Sequence, residues 1–257
     1  MTLAPASFLD FGRKWVVVTG ASSGLGRASA VELSRHGARL VLVGRNSGAL
    51  DDTRRSLDGD RHEVLSLDLR ELSAIGPAIA RVAKQVGRIY GLCHAAGIVV
   101  TTPLRTSTVD VVQSMMTVNL QAGLELARHL TRRDVMEPDA GSLLFLSSIY
   151  GKVGAAGETG YSATKGAIAA AVRAMAVELA RRGIRVNSIS PGLVRTPMTD
   201  HALGALTSEQ VAALEQKHPL GPGSPIDVAR AVVFLLAPAT TWITGTDLAV
   251  DGGYSAQ

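Results

Sequence analysis

Cysteine is nearly absent. Cys93 stands alone in 257 residues, so no internal disulfide can form, and a reducing compartment is implied. The six histidines are scattered without the short spacings that metal sites use, which excludes a sequence-visible metal centre. Nowhere do roughly 18 uncharged apolar residues follow one another, so a membrane span is not expected. The start, MTLAPASFLD, lacks a basic residue followed by an apolar run, and an exported protein is not expected either. Net charge is +4, but the arginines are spread along the chain rather than gathered into a stripe, which argues against nucleic acid and for solvated helix faces. These absences predict a soluble, cytoplasmic, metal-free protein whose partners are small molecules.

What is present is a chain with 46% hydrophobic residues, enough to bury one large core. No repeat, low-complexity run or linker divides it, so residues 1 to 257 are expected to form one domain. Short β-branched runs at 14–19, 39–44, 62–67, 89–94, 142–147, 185–190 and 247–250 predict seven strands. Between them, helical periodicity covers 24–36, 71–86, 109–131, 161–182 and 225–236. That alternation demands right-handed crossovers and predicts an α/β fold with a doubly wound, seven-stranded parallel sheet flanked by helices.

Directly after the first strand comes TGASSGLG, with Gly20, Gly24 and Gly26 opening a helix. A turn this tight needs glycine, backbone approaching a pyrophosphate leaves no room for a Cβ, and a helix N-terminus offers free N–H groups. A phosphate-bearing cofactor is therefore expected. In NAD-binding folds an acid at the end of the second strand holds the ribose hydroxyls. Here that strand ends VLVGRN: Gly44 occupies the acid's place, and Arg45 beside it can fork onto a 2'-phosphate, so NADPH is favoured over NADH. Asp68, ending SLDL, is placed either to meet the adenine edge or to cap the next helix.

The second constellation is YSATK, where Tyr161 precedes Lys165 by one helical turn. With four tyrosines and five lysines in the chain, that spacing is a rare coincidence. A phenol is a poor proton donor at neutral pH until a neighbouring ammonium stabilises its phenolate, and Lys165 supplies that charge. A carbonyl accepting hydride also needs its oxygen polarised, which a fixed serine can do. The fifth strand runs into Ser147 and Ser148; strand alternation sends the two hydroxyls to opposite faces, and Ser148 is the candidate. Tyr150 reads as a wall of the substrate pocket, because Lys152 lies only two residues on. Asn119, in MTVNLQAG, is an amide on an apolar helix and must have partners if buried.

These motifs closely resemble the short-chain dehydrogenase/reductase family, nearly end to end. TGASSGLG resembles its cofactor loop, and Asn119, Ser148, Tyr161 and Lys165 its catalytic tetrad. The resemblance implies Tyr161 as general acid/base, Lys165 also on the nicotinamide ribose, Ser148 orienting substrate, and Asn119 helping to hold a water in a proton relay. It implies a cofactor site of Gly20, Ser22, Ser23, Gly24, Leu25, Gly26, Arg45, Asp68, Leu69, Ala96, Gly97, Asn119, Tyr161 and Lys165. NSISPGLVRT resembles the nicotinamide-side motif and adds Pro191, Gly192, Val194 and Thr196. One departure is HAAG at 94–97, where the family usually has Asn-Asn-Ala-Gly; the lost amide puts local strand bracing in doubt.

The implied activity is NADPH-dependent reduction of a carbonyl, with 3-oxoacyl thioesters on acyl carrier protein or coenzyme A as first substrate class. Sugar or polyol dehydrogenation is the alternative, and a non-catalytic NADPH sensor a third. The segment 195–220, with Met198, Leu203, Leu206, Val211 and Leu214 at helical spacing, reads as a substrate lid. Acidic Glu137 and Asp139 in MEPDAG would repel an acidic carrier. The stretch GAIAAAVRAMAVELA (166–180) carries only Arg173 and Glu178 as charges, so a second subunit is expected on it, and the resemblance suggests a homotetramer.

Overall fold

The structure is a computed structural model that describes residues 8–204 and 206–257. Most of the N-terminal stretch judged above lies outside the described residues, as does Ala205 of the expected lid. Seven strands form one sheet: β1 (Trp15–Thr19), β2 (Arg39–Gly44), β3 (His62–Ser66), β4 (Gly91–His94), β5 (Gly141–Leu146), β6 (Ile184–Pro191) and β7 (Asp247–Val250). Their order is β3-β2-β1-β4-β5-β6-β7, and every pairing is parallel. The first three strands wind one way from β1 and the rest the other. The carboxyl ends of β1 and β4 therefore open a crevice at the point where the winding reverses.

The strands are continuously apolar because both faces are covered. Val16 and Val18 alternate with Val17, and Leu40 and Leu42 with Val41, so each strand feeds two cores. On one face lie α1 (Gly24–Arg35) and α9 (Pro225–Leu236), which pack on each other. On the other lie α3 (Leu72–Val86), α5 (Ala122–Leu130) and α6 (Thr159–Leu179). Arg185 is buried among these layers with no carboxylate partner among the described residues. Its guanidinium donates to the carbonyls of Leu235 (2.8 Å), Ala237 (3.1 Å) and Ile243 (3.2 Å), closing the carboxyl end of α9, where a cation meets the negative end of the helix dipole.

Two features depart from the sequence reading. The helix expected over 109–131 is α4 (Val109–Met116) and α5 joined through a π turn, Thr117–Gln121, that carries Asn119. Helix α2 (Ser47–Arg55) has no counterpart in the periodicity, because it buries only Leu50 and Thr53. Its start is fixed instead by Asn46, whose side chain accepts from the Ala49 N–H at 3.1 Å. The expected lid is two helices, α7 (Pro197–Leu203) and α8 (Ser208–Gln216), each opened by a threonine capping box. Cys93 is fully buried and its thiol is pushed up to about 12 by desolvation, so it is a packing residue. Among the described residues no helix is long and apolar enough to cross a membrane.

Candidate active site

A cleft of about 400 Å³, within the usual range for ligand sites, opens at the carboxyl edge of the sheet. Its floor is the turn from β1 into α1. Gly20 has φ +64°, and a Cβ there would lie 2.9 Å from the Ala96 nitrogen; a Cβ on Gly26 would strike the Gly20 carbonyl. Gly24, φ +52°, keeps its space beside Thr196. Ser23 begins the helix without a side-chain cap, so the first N–H groups of α1 face the cleft uncapped by their own chain. A cradle whose side chains are absent by steric necessity and whose donors are free fits a pyrophosphate.

The same cleft gathers Ser22, Leu25, Arg45, Asp68, Leu69, Ala96, Gly97, Ser148, Tyr161, Lys165, Pro191, Gly192, Val194, Thr196 and Met198. Two expected residues do not line it. Asn119 is fully buried behind it, and Tyr150 lies half-buried beyond Ser148. Several lining residues were not singled out from the sequence, among them Ile98, Val118, Thr199 and Arg70. The exposed Arg70 clamps Asp68 through Nε at 3.0 and 3.1 Å and through its backbone N–H at 3.0 Å, holding that carboxyl down at about 2. Asp68 therefore does not cap α3, whose N-cap is Glu71. Arg45 is exposed with no side-chain partner among the bonds described, and a Cβ at Gly44 would meet only a Leu50 methyl, at 3.3 Å.

Ser147 and Ser148 split as strand alternation requires. Ser147 Oγ donates to the Lys165 carbonyl at 2.9 Å, tying β5 to α6. The Ser148 hydroxyl lies near enough to the Tyr161 phenol to favour its ionised form, and it accepts from the Tyr150 N–H at 3.2 Å. Lys165, 4% exposed, donates to the Leu146 carbonyl at 2.7 Å and lies 5.5 Å from the centre of the Tyr161 ring. The ammonium thus sits over the ring face. The expectation that Lys165 lowers the phenol is not met: desolvation pushes Tyr161 up to about 12 against the nearby Ser148 hydroxyl, and Lys165 down to about 8. Tyr161 is consequently held as a proton donor over the working range.

Asn119 has the partners its burial demands. Its Oδ1 accepts from the Ile98 N–H at 2.8 Å, and Nδ2 donates to the Ile98 carbonyl at 2.9 Å and to Thr164 Oγ1 at 3.1 Å. Both amide protons are used, so this side chain braces the segment after β4 against α6. The brace missing from HAAG is supplied by Thr19. Its Oγ1 accepts from the N–H groups of Ala95 (3.1 Å) and Ala96 (3.0 Å), which leaves its own proton for His94 Nδ1 at 3.0 Å. Burial and the nearby Lys165 charge hold the His94 imidazole down at about 4, so it is neutral and carries its proton on Nε2.

The family model described as "Enoyl-(Acyl carrier protein) reductase" matches residues 20–255. The chain belongs to the short-chain dehydrogenase/reductase family. A human 3-oxoacyl-[acyl-carrier-protein] reductase is 38% identical over 93% of this chain and 97% of its own length. A glucose 1-dehydrogenase from Gluconobacter oxydans is 33% identical over 97% and 95%. Among solved structures, a Beutenbergia cavernae protein assigned as an NAD(P)-dependent gluconate 5-dehydrogenase, with NADP bound at low occupancy, superimposes with TM-score 0.88 at 29% identity over 97% of this chain and 99% of its own. The protein is an oxidoreductase of the alcohol/carbonyl class with a nicotinamide-nucleotide site.

The buried ammonium has a measurable consequence. The unfolded chain holds the Lys165 proton to about 10.5 and the folded one only to about 8, so between those values the unfolded state binds more protons and stability rises with pH. At pH 7 the cost of burying the charge is present in full. Lys165→Met should therefore melt a few degrees above the wild type at pH 7, by roughly 2–4 °C per kcal/mol, with the gap narrowing toward pH 10. A lower melting temperature at pH 7, read by calorimetry, would show that the bond to Leu146 outweighs desolvation.

Proposed function

We propose that this chain reduces a ketone with NADPH, Tyr161 acting as general acid, Ser148 as the carbonyl-orienting hydroxyl and Lys165 as the residue whose bonds to the end of β5 hold both in place. The observation that carries this reading is the convergence of the Tyr161 and Ser148 hydroxyls in the same cleft as the glycine cradle. The bound nicotinamide would supply the hydride. Gly20, Gly24, Gly26 and the N–H groups of α1 would hold its pyrophosphate, and Pro191, Gly192, Val194 and Thr196 its carboxamide end. As the carbonyl carbon is reduced, its oxygen gains charge, accepts a hydrogen bond from Ser148 Oγ, and takes the proton from Tyr161 Oη. The high affinity of Tyr161 for its proton makes this transfer wait for the developing alkoxide.

NADPH over NADH follows from Gly44 and Arg45. We expect tighter binding of NADPH by about tenfold, the value of one charge-assisted contact of about 1.4 kcal/mol. Gly44→Asp should move the preference toward NADH; the nearest obstacle to the new Cβ is the buried Leu50 side chain at 3.3 Å, which must shift slightly. Titration of both cofactors into the apoprotein decides it; equal affinities would remove the 2'-phosphate role from Arg45.

For the substrate, α7 and α8 act as a lid, with the exposed Met198 as its apolar contact on the cleft. A 3-oxoacyl thioester remains the first reading and a keto-sugar the second; the two named relatives divide between these classes. The charge argument against an acidic carrier weakens, because Glu137 is paired with Lys14, which also lies 5.1 Å from the Tyr90 ring. An NADPH-oxidation panel of acetoacetyl thioesters on carrier protein and coenzyme A, keto-sugars and small diketones separates the classes. Keto-sugar turnover without thioester turnover would promote the second. Tyr161→Phe should abolish turnover of whichever substrate is used while leaving NADPH affinity within about twofold; substantial reduction by that variant would refute the acid assignment.

Assembly follows from exposed apolar surface. Helix α6 buries Ile168, Val172 and Ala176 on the sheet and exposes Ala170, Ala174 and Val177 along another stripe. Phe234 of α9, Trp242 (97% exposed) and Leu248 of the edge strand β7 are exposed as well. Two self-complementary two-fold contacts, one on each surface, give a homotetramer. Light scattering at micromolar concentration should report that species, and a monomer would contradict it.

A further inference from the structure

His218 lies in the connection KHPLG between exposed Lys217 and exposed Pro219, yet it is 4% exposed. Both ring nitrogens are engaged. Nε2 stands 3.0 Å from the Leu193 backbone nitrogen and accepts its N–H; Nδ1 stands 3.1 Å from the Leu214 carbonyl and donates to it. Those two partners define a neutral imidazole protonated on Nδ1. Leu214 belongs to the last turn of α8, and Leu193 follows Gly192, which lines the cleft. The ring also packs on Tyr254, centroids 4.9 Å apart, in the C-terminal turn that Asp251 closes by accepting from Gly253 N (3.0 Å) and Ser255 N (2.9 Å). A Cβ on Gly192 would come within 2.9 Å of His218 Nε2, so the imidazole lies directly against the nicotinamide-side loop.

The rival tie between α8 and that loop is the Arg195–Glu215 ion pair, with Arg195 also 3.6 Å from Asp200. Its side chains are 45% and 32% exposed, and such a pair contributes little in water. Loss of the imidazole would instead strand a part-buried N–H and a carbonyl, the costlier event. We propose that His218 is a positioning residue for substrate: it anchors the carboxyl end of the lid to the loop after β6 and to the C-terminal turn, and thereby sets the closed lid. This rests on reading α7 and α8 as a lid over the cleft.

The test compares His218→Leu, His218→Gln and Arg195→Ala in the full chain. His218→Leu should raise KM for the best panel substrate about tenfold while kcat changes less than about threefold. Thermolysin should cut within 197–217 about fivefold faster in that variant, as expected of a locally loosened segment. Glutamine, which offers an acceptor and a donor, should restore most of both, and Arg195→Ala should move neither. Wild-type KM and cleavage in His218→Leu would overturn the proposal, as would an equal effect from Arg195→Ala. A parallel fall of kcat, substrate affinity, melting temperature and resistance along the whole chain, without rescue by glutamine, would reduce His218 to a fold residue. The cleavage measurement needs neither cofactor nor substrate, so it stands apart from any failure of the proposed reaction.

Discussion

The site depends on one clasp between the end of β5 and the first turns of α6. Ser147 Oγ reaches forward to the Lys165 carbonyl, and Lys165 Nζ reaches back to the Leu146 carbonyl. Gly151 closes the contact, for a Cβ there would come within 2.9 Å of the Lys165 carbonyl carbon. Because the clasp is made by the two residues preceding Ser148 and by the lysine one turn beyond Tyr161, it fixes serine and tyrosine relative to each other. A hydroxyl pair held this way is set before substrate arrives, so little reorganisation is left for the reaction itself.

Holding those groups brings polar atoms into a dry place. Asn119, Thr164, Lys165 and His94 are all buried within a few residues of the cleft. Asn119 and Thr164 are satisfied in full view: Thr164 Oγ1 donates to the Tyr161 carbonyl at 2.8 Å while accepting from Asn119. His94 and Lys165 are handled differently, by displaced proton affinity rather than by counter-charges. The imidazole stays neutral beside the ammonium, which spares the site a second positive charge. The π turn at Thr117–Gln121 belongs to this arrangement, because it is the turn on which Asn119 sits as the helix passes the end of β4.

Most of the fold was legible because the strands are apolar on both faces and the main helices carry a 3.6-residue stripe. The expected strand ends fall within about two residues of the observed ones. Helix α2 escaped because its two buried residues make no stripe, and the π turn because one extra residue per turn leaves an apolar helix looking unbroken. At the site, Tyr161, Lys165, Ser148 and the glycine turn were legible through spacing, since their roles are local to a strand end or a helical turn. Thr19 and His218 were not. Their meaning lies in contacts 75 to 77 and 25 residues away, which no local pattern encodes. Asp68 shows the converse: its residue type was noticed, but its partner Arg70 was two residues off and unweighed.

The distribution of charge around the cleft adds a constraint on what can enter it. At the nucleotide end, Arg45 and Arg70 line the cleft and are exposed; Arg70 is balanced by Asp68, while Arg45 has no side-chain partner among the described residues. At the substrate end, Glu158 is 93% buried by its 7% exposure and accepts from Thr101 Oγ1 at 2.5 Å. Its second oxygen has no partner among the described atoms, and its charge reaches both Tyr150 and Tyr161. The substrate end is thus mixed in charge, with the Lys165 ammonium lining the cleft and the Glu158 carboxylate acting on the two tyrosines. The same field works against a carboxylate on the substrate near Glu158 and favours a neutral carbonyl there. Both substrate classes proposed above meet that condition, a thioester because it carries no charge at the reacting end and a keto-sugar because it carries none at all.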